Sequence, residues 1–227
     1  MKRQKQTYPD ARFWDRMADR YSKKSVPDQQ VYAEKLAKTD RLLKPSDHVL
    51  EIGCGTGSTA IHHASQVTQI VAIDYSERMI EIARRKAREA DINNAKFLVS
   101  TISDLPTSGE EYDVVLAHSV LHLVPDPLAT LNTISQLLKP GGLFITTVPC
   151  IGEFFPLFRY INAIGKRLRL MPYVAVFKEA QFQRWLRDAK FTVEERWLPA
   201  PKSGLFLIAR VGPSVTATDE QLSFVAR

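Results

Sequence analysis

Cysteine is almost missing from this chain: only Cys54 and Cys150, among 227 residues, carry a thiol. Two cysteines with neither framework numbers nor ligand spacing exclude a disulfide scaffold and a cysteine metal centre, so both are read as reduced thiols and no metal is expected. Also absent is any uninterrupted apolar run of the roughly 18 residues that a membrane span requires. The amino-terminal stretch MKRQKQTYPDARFWDR is charged and aromatic and has no apolar h-region, which points to a cytoplasmic protein. Glycine and proline do not cluster into a linker, and no internal repeat or low-complexity tract is visible. One domain with a sizeable core is the expectation.

The formal net charge is +6. A basic chain invites nucleic acid as a partner only where the charge clusters on one face. Much of the excess lies in the first 24 residues, in IEIARRKAR and between Arg159 and Arg169. In IEIARRKAR the apolar Ile80, Ile82, Ala83 and Ala87 mark an inner helix face, leaving Arg84, Arg85, Lys86 and Arg88 on a solvated outer face. Nucleic acid is therefore disfavoured.

Apolar strand-like runs alternate with helical periods, which favours a doubly wound α/β fold with helices on both faces of a parallel sheet. Strands are expected at His48–Ile52, Ile70–Ile73, Lys96–Val99, Val114–His118, Leu143–Val148, Thr192–Leu198 and Leu205–Val211. Only a Pro/Gly-bearing loop separates the last two, so they should form a hairpin. The polar stretch 213–227 reads as a loose tail.

The most informative segment is VLEIGCGTGSTA, Val49 to Ala60, a buried strand that breaks into a glycine loop and re-enters a helix. Gly53, Gly55 and Gly57 permit tight turning and close approach of backbone to a ligand. Ser58 occupies the place where a phosphate-binding dinucleotide loop carries its third glycine, which argues against a nicotinamide cofactor.

Glu51 through Gly57, an acidic residue followed by three alternating glycines, resembles motif I of the class I S-adenosylmethionine-dependent methyltransferases. VAIDYS with Asp74, EEYDVVLAHSVLHLVPD and LLKPGGLFI resemble the family's later segments, in the family's order. The nearest likeness is to the small-molecule ubiquinone and menaquinone methyltransferases. This resemblance implies a Rossmann-like, seven-stranded, mostly parallel sheet with one antiparallel strand, and S-adenosylmethionine as methyl donor with S-adenosylhomocysteine as product. It also implies a division into a helical cap (1–45), a cofactor-binding core (46–149), a variable lid (150–180), and a final helix and hairpin (181–212) before the tail.

The resemblance assigns cofactor roles residue by residue. Gly53, Cys54, Gly55 and Gly57 would line the cofactor's amino-acid end, and Glu51 would meet its ammonium or hold the loop's own amides. Asp74 would accept from the ribose diol, with a helix N-cap near Ser76 as the competing role. Tyr75 and Met79 would flank adenine, although Met79 at that spacing equally suits a core. Where the family commonly has Gly-Asp-Ala, this chain reads Ser100, Thr101 and Ile102. The Thr101 hydroxyl and Ile102 amide would then meet adenine without charge assistance.

His118 ends the fourth strand and His122 follows at i+4. Either is a candidate general base for a phenol, thiol or enol, although His118 would in any case face the cofactor. A sulfonium is already activated, so positioning alone can supply much of the rate. The N-P-P-Y element of DNA amino-methyltransferases is absent at this point.

Two segments are candidates for the acceptor pocket. Phe13, Met17 and Tyr21 share a face of a helix over Phe13–Ser25, with Tyr21 near the cofactor. In the stretch 152–177, Phe154, Leu157, Phe158, Ile161, Ile164 and Leu168 form an apolar stripe, and Arg159, Lys166 and Arg169 a basic one. That pattern suits a lid, and through 153–170 a weak contact with an anionic membrane. The resulting reading is transfer of a methyl group to O, C or S of a small apolar or aromatic acceptor. The alternatives are a nucleic-acid methyltransferase and a non-catalytic adenosyl-cofactor-binding protein. Nothing in the sequence specifies an oligomeric state.

Overall fold

Alternating apolar residues resolve into seven strands: β1 (His48–Ile52), β2 (Gln69–Asp74), β3 (Ala95–Val99), β4 (Tyr112–His118), β5 (Leu138–Val148), β6 (Phe191–Trp197) and β7 (Leu205–Val211). They form one sheet in the order β3-β2-β1-β4-β5-β7-β6, parallel except for β7, which is antiparallel to both of its neighbours. The expected hairpin is present. The computed structural model describes residues 11–24, 28–106, 112–155, 157–167, 171–201 and 203–212, so the proposed tail at 213–227 lies outside the described residues.

Successive strand residues enter opposite faces, and both faces are buried, which is why the strands read as nearly continuous apolar runs. Leu50, Ile73, Val115, Ala117 and Phe144 pack on one side with Leu131 and Ile134 of α5 (Pro127–Leu137) and with Phe182 and Leu186 of α7 (Glu179–Asp188). On the other side Val49, Ile70, Ala72, Leu116 and Ile145 pack with Ala60 and Ala64 of α3 (Ser58–Ala64). Ile80, Ala83 and Ala87 of α4 (Glu77–Glu89) complete that layer. Each fully buried Leu or Ile contributes about 1.5–3 kcal/mol.

β5 starts five residues before the expected Leu143. Tyr112 pairs with Leu138, and the register then shifts so that Val114 pairs with Leu143. The slack is taken up at KPGG: Gly141 adopts φ +74, and a Cβ on Gly142 would lie 2.8 Å from the Lys139 carbonyl. Lys139 reaches across to Asp113, with both carboxylate oxygens 2.8 Å from its ammonium.

Two helices precede the sheet. α1 (Ala11–Lys23) lies on α4 through Ala18, Met79 and Ile82. Asp15 pins this contact by accepting the Ser76 hydroxyl proton at 2.6 Å and the Arg78 N–H at 3.2 Å, while Asp19 pairs with the Arg78 guanidinium. α2 (Gln29–Asp40) ends at Asp40, whose carboxylate binds Gln66, His62 and the fully buried His63. These bonds tie the cap to α3.

The outer face of α4 differs from the solvated stripe expected of it. Arg84 donates twice to the Phe97 carbonyl of β3, and the Lys86 ammonium reaches the Thr56 hydroxyl at 3.0 Å. Long side chains of this kind cover apolar surface before their charged ends find partners. Among the described residues, no helix is long and apolar enough to cross a membrane.

Candidate functional site

A cleft of about 750 Å³ opens at the carboxyl ends of β1 and β4, where open α/β sheets place ligands. The β1–α3 loop forms its floor. Gly53, Gly55 and Gly57 all adopt left-handed φ values, +65, +52 and +78. A Cβ on Gly53 would strike Val120 at 2.5 Å, and one on Gly57 would strike Ala83 and Phe97 at 2.8 Å. Those two glycines are therefore packing requirements. Gly55 differs, because a Cβ there would have only the Tyr21 ring at 3.8 Å as a neighbour and would project into open space.

Glu51 is buried on the wall of this cleft. Its carboxylate takes the Ala60 backbone N–H, one of the unpaired donors of the first turn of α3, yet Oε2 has no partner among the described residues. Burial raises its pKa to about 8, with Asp74 adding to the shift and the Ala60 bond opposing it. A buried carboxylate with one unpaired oxygen is a site prepared for a cationic group.

Asp74 holds the loop from the side. Its Oδ2 accepts the Gly55 N–H at 3.0 Å and its Oδ1 the Ser76 N–H at 2.8 Å. The N-cap of α4 is Ser76, whose hydroxyl accepts the Met79 N–H, so Asp74 does not fill the competing capping role. Cys54 lines the cleft with a buried thiol whose pKa burial pushes up. Tyr21, 53% exposed, closes the mouth opposite Gly55.

His118 also lines the cleft. Its Nδ1 lies 3.1 Å from the Thr147 hydroxyl and its ring stacks on Phe206. Burial, followed by the charges of His63 and Lys35, lowers its pKa to about 3. Such an imidazole is neutral and only weakly basic.

Of the residues anticipated from sequence, Tyr21, Glu51, Gly53, Cys54, Gly55 and His118 meet at this cleft, while Gly57, Asp74, Tyr75, Met79, Thr101, Ile102 and His122 do not line it. Met79 is 2% exposed between α1 and α4, the core role. The Thr101 hydroxyl and amide both donate to Asp104, closing a capping box. His122 does not share a helical face with His118: Ser119 adopts φ +55, and the chain turns into the 3-10 segment Leu121–Leu123. The expected i+4 geometry is therefore not realised. Burial holds the His122 pKa near 4, and its Nδ1 has no partner among the described residues.

The anticipated lid departs further. Its ordered helix is α6 (Phe158–Arg167), and Leu157 and Ile161 are exposed rather than folded over the site. No described residue of 152–177 lines the cleft. Leu168 and Arg169 lie outside the described residues, as do the side chains of Arg159, Ile164 and Lys166. In place of the lid, α2 supplies Tyr32, Lys35, Leu36 and Thr39, and the β6–β7 connection supplies Pro199, Ala200, Ser203 and Gly204. Sequence reasoning missed both groups. Neither carries a motif, and α2 has little apolar periodicity to mark an inner face.

Comparison with known proteins agrees with this geometry. A family model described as a methyltransferase domain matches residues 43–190. A ubiquinone biosynthesis O-methyltransferase of Xanthomonas campestris pv. campestris is 28% identical over 192 residues, covering 79% of this chain and 78% of that protein. A demethylmenaquinone methyltransferase of Staphylococcus saprophyticus is 27% identical over 164 residues, covering 68% and 66%. In fold, the chain is similar to magnesium protoporphyrin IX methyltransferase of Synechocystis PCC 6803, solved with bound SAM, at TM-score 0.67 and 19% identity over 91% of this chain and 99% of that one. A DhpI–SAH complex gives TM-score 0.69 and 20% identity, over 90% and 96%. With a family model spanning more than half of its residues, the chain belongs to the methyltransferase-domain family, whose class I members take S-adenosylmethionine as methyl donor.

Proposed function

We propose that this protein transfers the methyl group of S-adenosylmethionine to oxygen, carbon or sulfur of a small apolar or aromatic acceptor of quinone, phenol or thiol type, in the cytoplasm. The observation that carries the donor side is the Glu51 oxygen left without a partner among the described residues, beside the open Gly55 backbone. The relatives named for ubiquinone and menaquinone biosynthesis support the acceptor class.

In this reading Glu51 holds the donor's ammonium, and the backbone of Gly53 to Gly57 approaches its amino-acid end. Asp74 keeps that loop in place and offers its remaining lone pairs to the ribose. When bound, the donor supplies a methyl on an already electrophilic sulfonium. The chain's task is then to hold the acceptor in line and to exclude water, which Tyr21 and α2 do by covering the cleft. His118, neutral and bound to Thr147, positions the acceptor through a hydrogen bond instead of removing its proton.

Calorimetric titration with S-adenosylhomocysteine, NADH and NADPH tests the donor assignment. Binding of the first alone is expected, and binding of a nicotinamide alone would replace it with a dehydrogenase reading.

A second reading concerns the surface at 153–170. Leu157 is 61% exposed and Ile161 48%, with Phe154 and Tyr160 exposed beside them, which favours a weak peripheral contact with an anionic membrane. Low-salt co-sedimentation should favour anionic over neutral vesicles. Equal sedimentation with both would remove the idea.

A further inference from the structure

The cleft carries a positive charge with no partner among the described residues. Three lysines line it: Lys24, Lys35 and Lys86. Lys86 is tethered to the Thr56 and Ser58 hydroxyls. The Lys35 ammonium makes no hydrogen bond or ion pair among the described residues. The opposing charge that acts on it is Asp28, whose carboxylate already caps α2 by accepting the Val31 N–H at 2.9 Å. Partial burial lowers the Lys35 pKa, the signature of an ammonium stripped of water without a full counter-charge. Its field also reaches His118, on the cleft wall at the end of β4.

His118 is too weakly basic to remove a proton from a neutral phenol, Asp74 is engaged with the Gly55 and Ser76 amides, and in the methyltransferase reading the open oxygen of Glu51 is committed to the donor's ammonium. An acceptor that arrives already ionised needs neither. Resting on the methyltransferase reading of this cleft, we propose that the acceptor is taken as an aromatic oxyanion, a phenolate or an aryl carboxylate, with the Lys35 ammonium as its counter-charge. The transfer then balances without a base: the sulfur–methyl bond breaks as the oxygen–methyl bond forms, the sulfonium becomes a neutral thioether, and the oxyanion becomes a neutral ether or ester. Lys35 makes this cleft select charge as well as shape.

The test is calorimetry on protein saturated with S-adenosylhomocysteine, using two matched pairs: 4-nitrophenolate against 4-nitroanisole, and 3,4-dihydroxybenzoate against its methyl ester. In the wild type, one anion or both should bind about tenfold or more tightly than the neutral partner, a difference of about 1.4 kcal/mol. The first pair reports a phenolate, the second a carboxylate. Lys35→Met should erase the preference and leave S-adenosylhomocysteine affinity within about threefold, which also shows that the variant is folded; Lys35→Arg should retain the preference. Equal or undetectable binding of anions and neutral partners overturns the proposal, as does a preference that survives in Lys35→Met. If Lys35→Met instead weakens S-adenosylhomocysteine about tenfold, Lys35 serves the cofactor's own carboxylate and the proposal is wrong. Failure of the wild type to bind S-adenosylhomocysteine at all overturns the methyltransferase reading beneath it.

Discussion

The carboxylate of Asp74, at the end of β2, accepts the backbone N–H of Gly55, in the loop leaving β1, at 3.0 Å. The β1–α3 loop is thus held by a neighbouring strand as well as by its own turns. Asp74→Ala removes this bond and the one to Ser76, each worth about 1.5–3 kcal/mol when the acceptor is charged. S-adenosylhomocysteine affinity should fall about tenfold or more with a lower melting temperature, and Asp74→Asn should be intermediate. Wild-type affinity in Asp74→Ala would show that the loop is ordered without it.

Substitution of two neighbouring glycines should separate stability from binding. Gly53→Ala places a Cβ 2.5 Å from Val120 and should lower the melting temperature, the backbone strain alone being about 1–3 kcal/mol. Gly55→Val directs a branched side chain into open cleft and should abolish S-adenosylhomocysteine binding in a protein that still melts cooperatively. Normal binding by Gly55→Val would mean that the site lies elsewhere.

Cofactor binding should release a proton. The Glu51 pKa is raised to about 8, so the free protein holds the proton below that pH, whereas a bound ammonium favours the carboxylate. Affinity for S-adenosylhomocysteine should therefore rise by up to about tenfold per pH unit from about 6 toward 8 and then level. Calorimetry in buffers of different ionisation enthalpy counts the proton directly. Glu51→Gln should bind weakly and without this slope, and a flat profile in the wild type would remove Glu51 from the ammonium.

Acid should destabilise the fold through three histidines. Burial lowers His63 and His122 to about 4 and His118 to about 3, below the unfolded value of about 6.5. Depressed histidines contribute stability that is present above about 6.5 and lost as pH falls toward 4, at about 1.4 kcal/mol per pH unit for each. Raised Glu51 runs the other way between about 4.5 and 8, so the net effect is roughly two protons. Urea midpoints should drop from pH 6.5 to pH 5. Equal midpoints at the two pH values would show that these histidines are solvated.

His122→Ala should leave S-adenosylhomocysteine binding unchanged, because the side chain does not line the cleft. A tenfold loss in calorimetry would show that the turn after β4 reaches the cofactor.

Much of the fold was legible because strands buried on both faces are apolar throughout. β1 and β7 begin and end where their patterns do, and β4 extends only two residues earlier. β5 was legible at its end and not at its start, since a register shift leaves no mark on hydrophobicity. The loop residues Glu51 and Gly53 to Gly57 were legible because steric demands on glycine and the burial of a charge are local. His122 was misread because i+4 spacing implies a shared face only within a helix, and Ser119 at φ +55 prevents one.

By itself the sequence determined the layered α/β architecture, the family and the glycine turns of the β1–α3 loop, since these follow from periodicity and contiguous motifs. Only the tertiary structure decided what faces that loop. It set Lys35 and Tyr32 of α2 and Pro199, Ala200, Ser203 and Gly204 around the cleft, turned Met79 into core, and left Leu157 and Ile161 on the surface. Those outcomes depend on how a helical cap and a distant hairpin dock on a shared sheet, and long-range packing of this kind leaves no repeat, period or motif within any one segment.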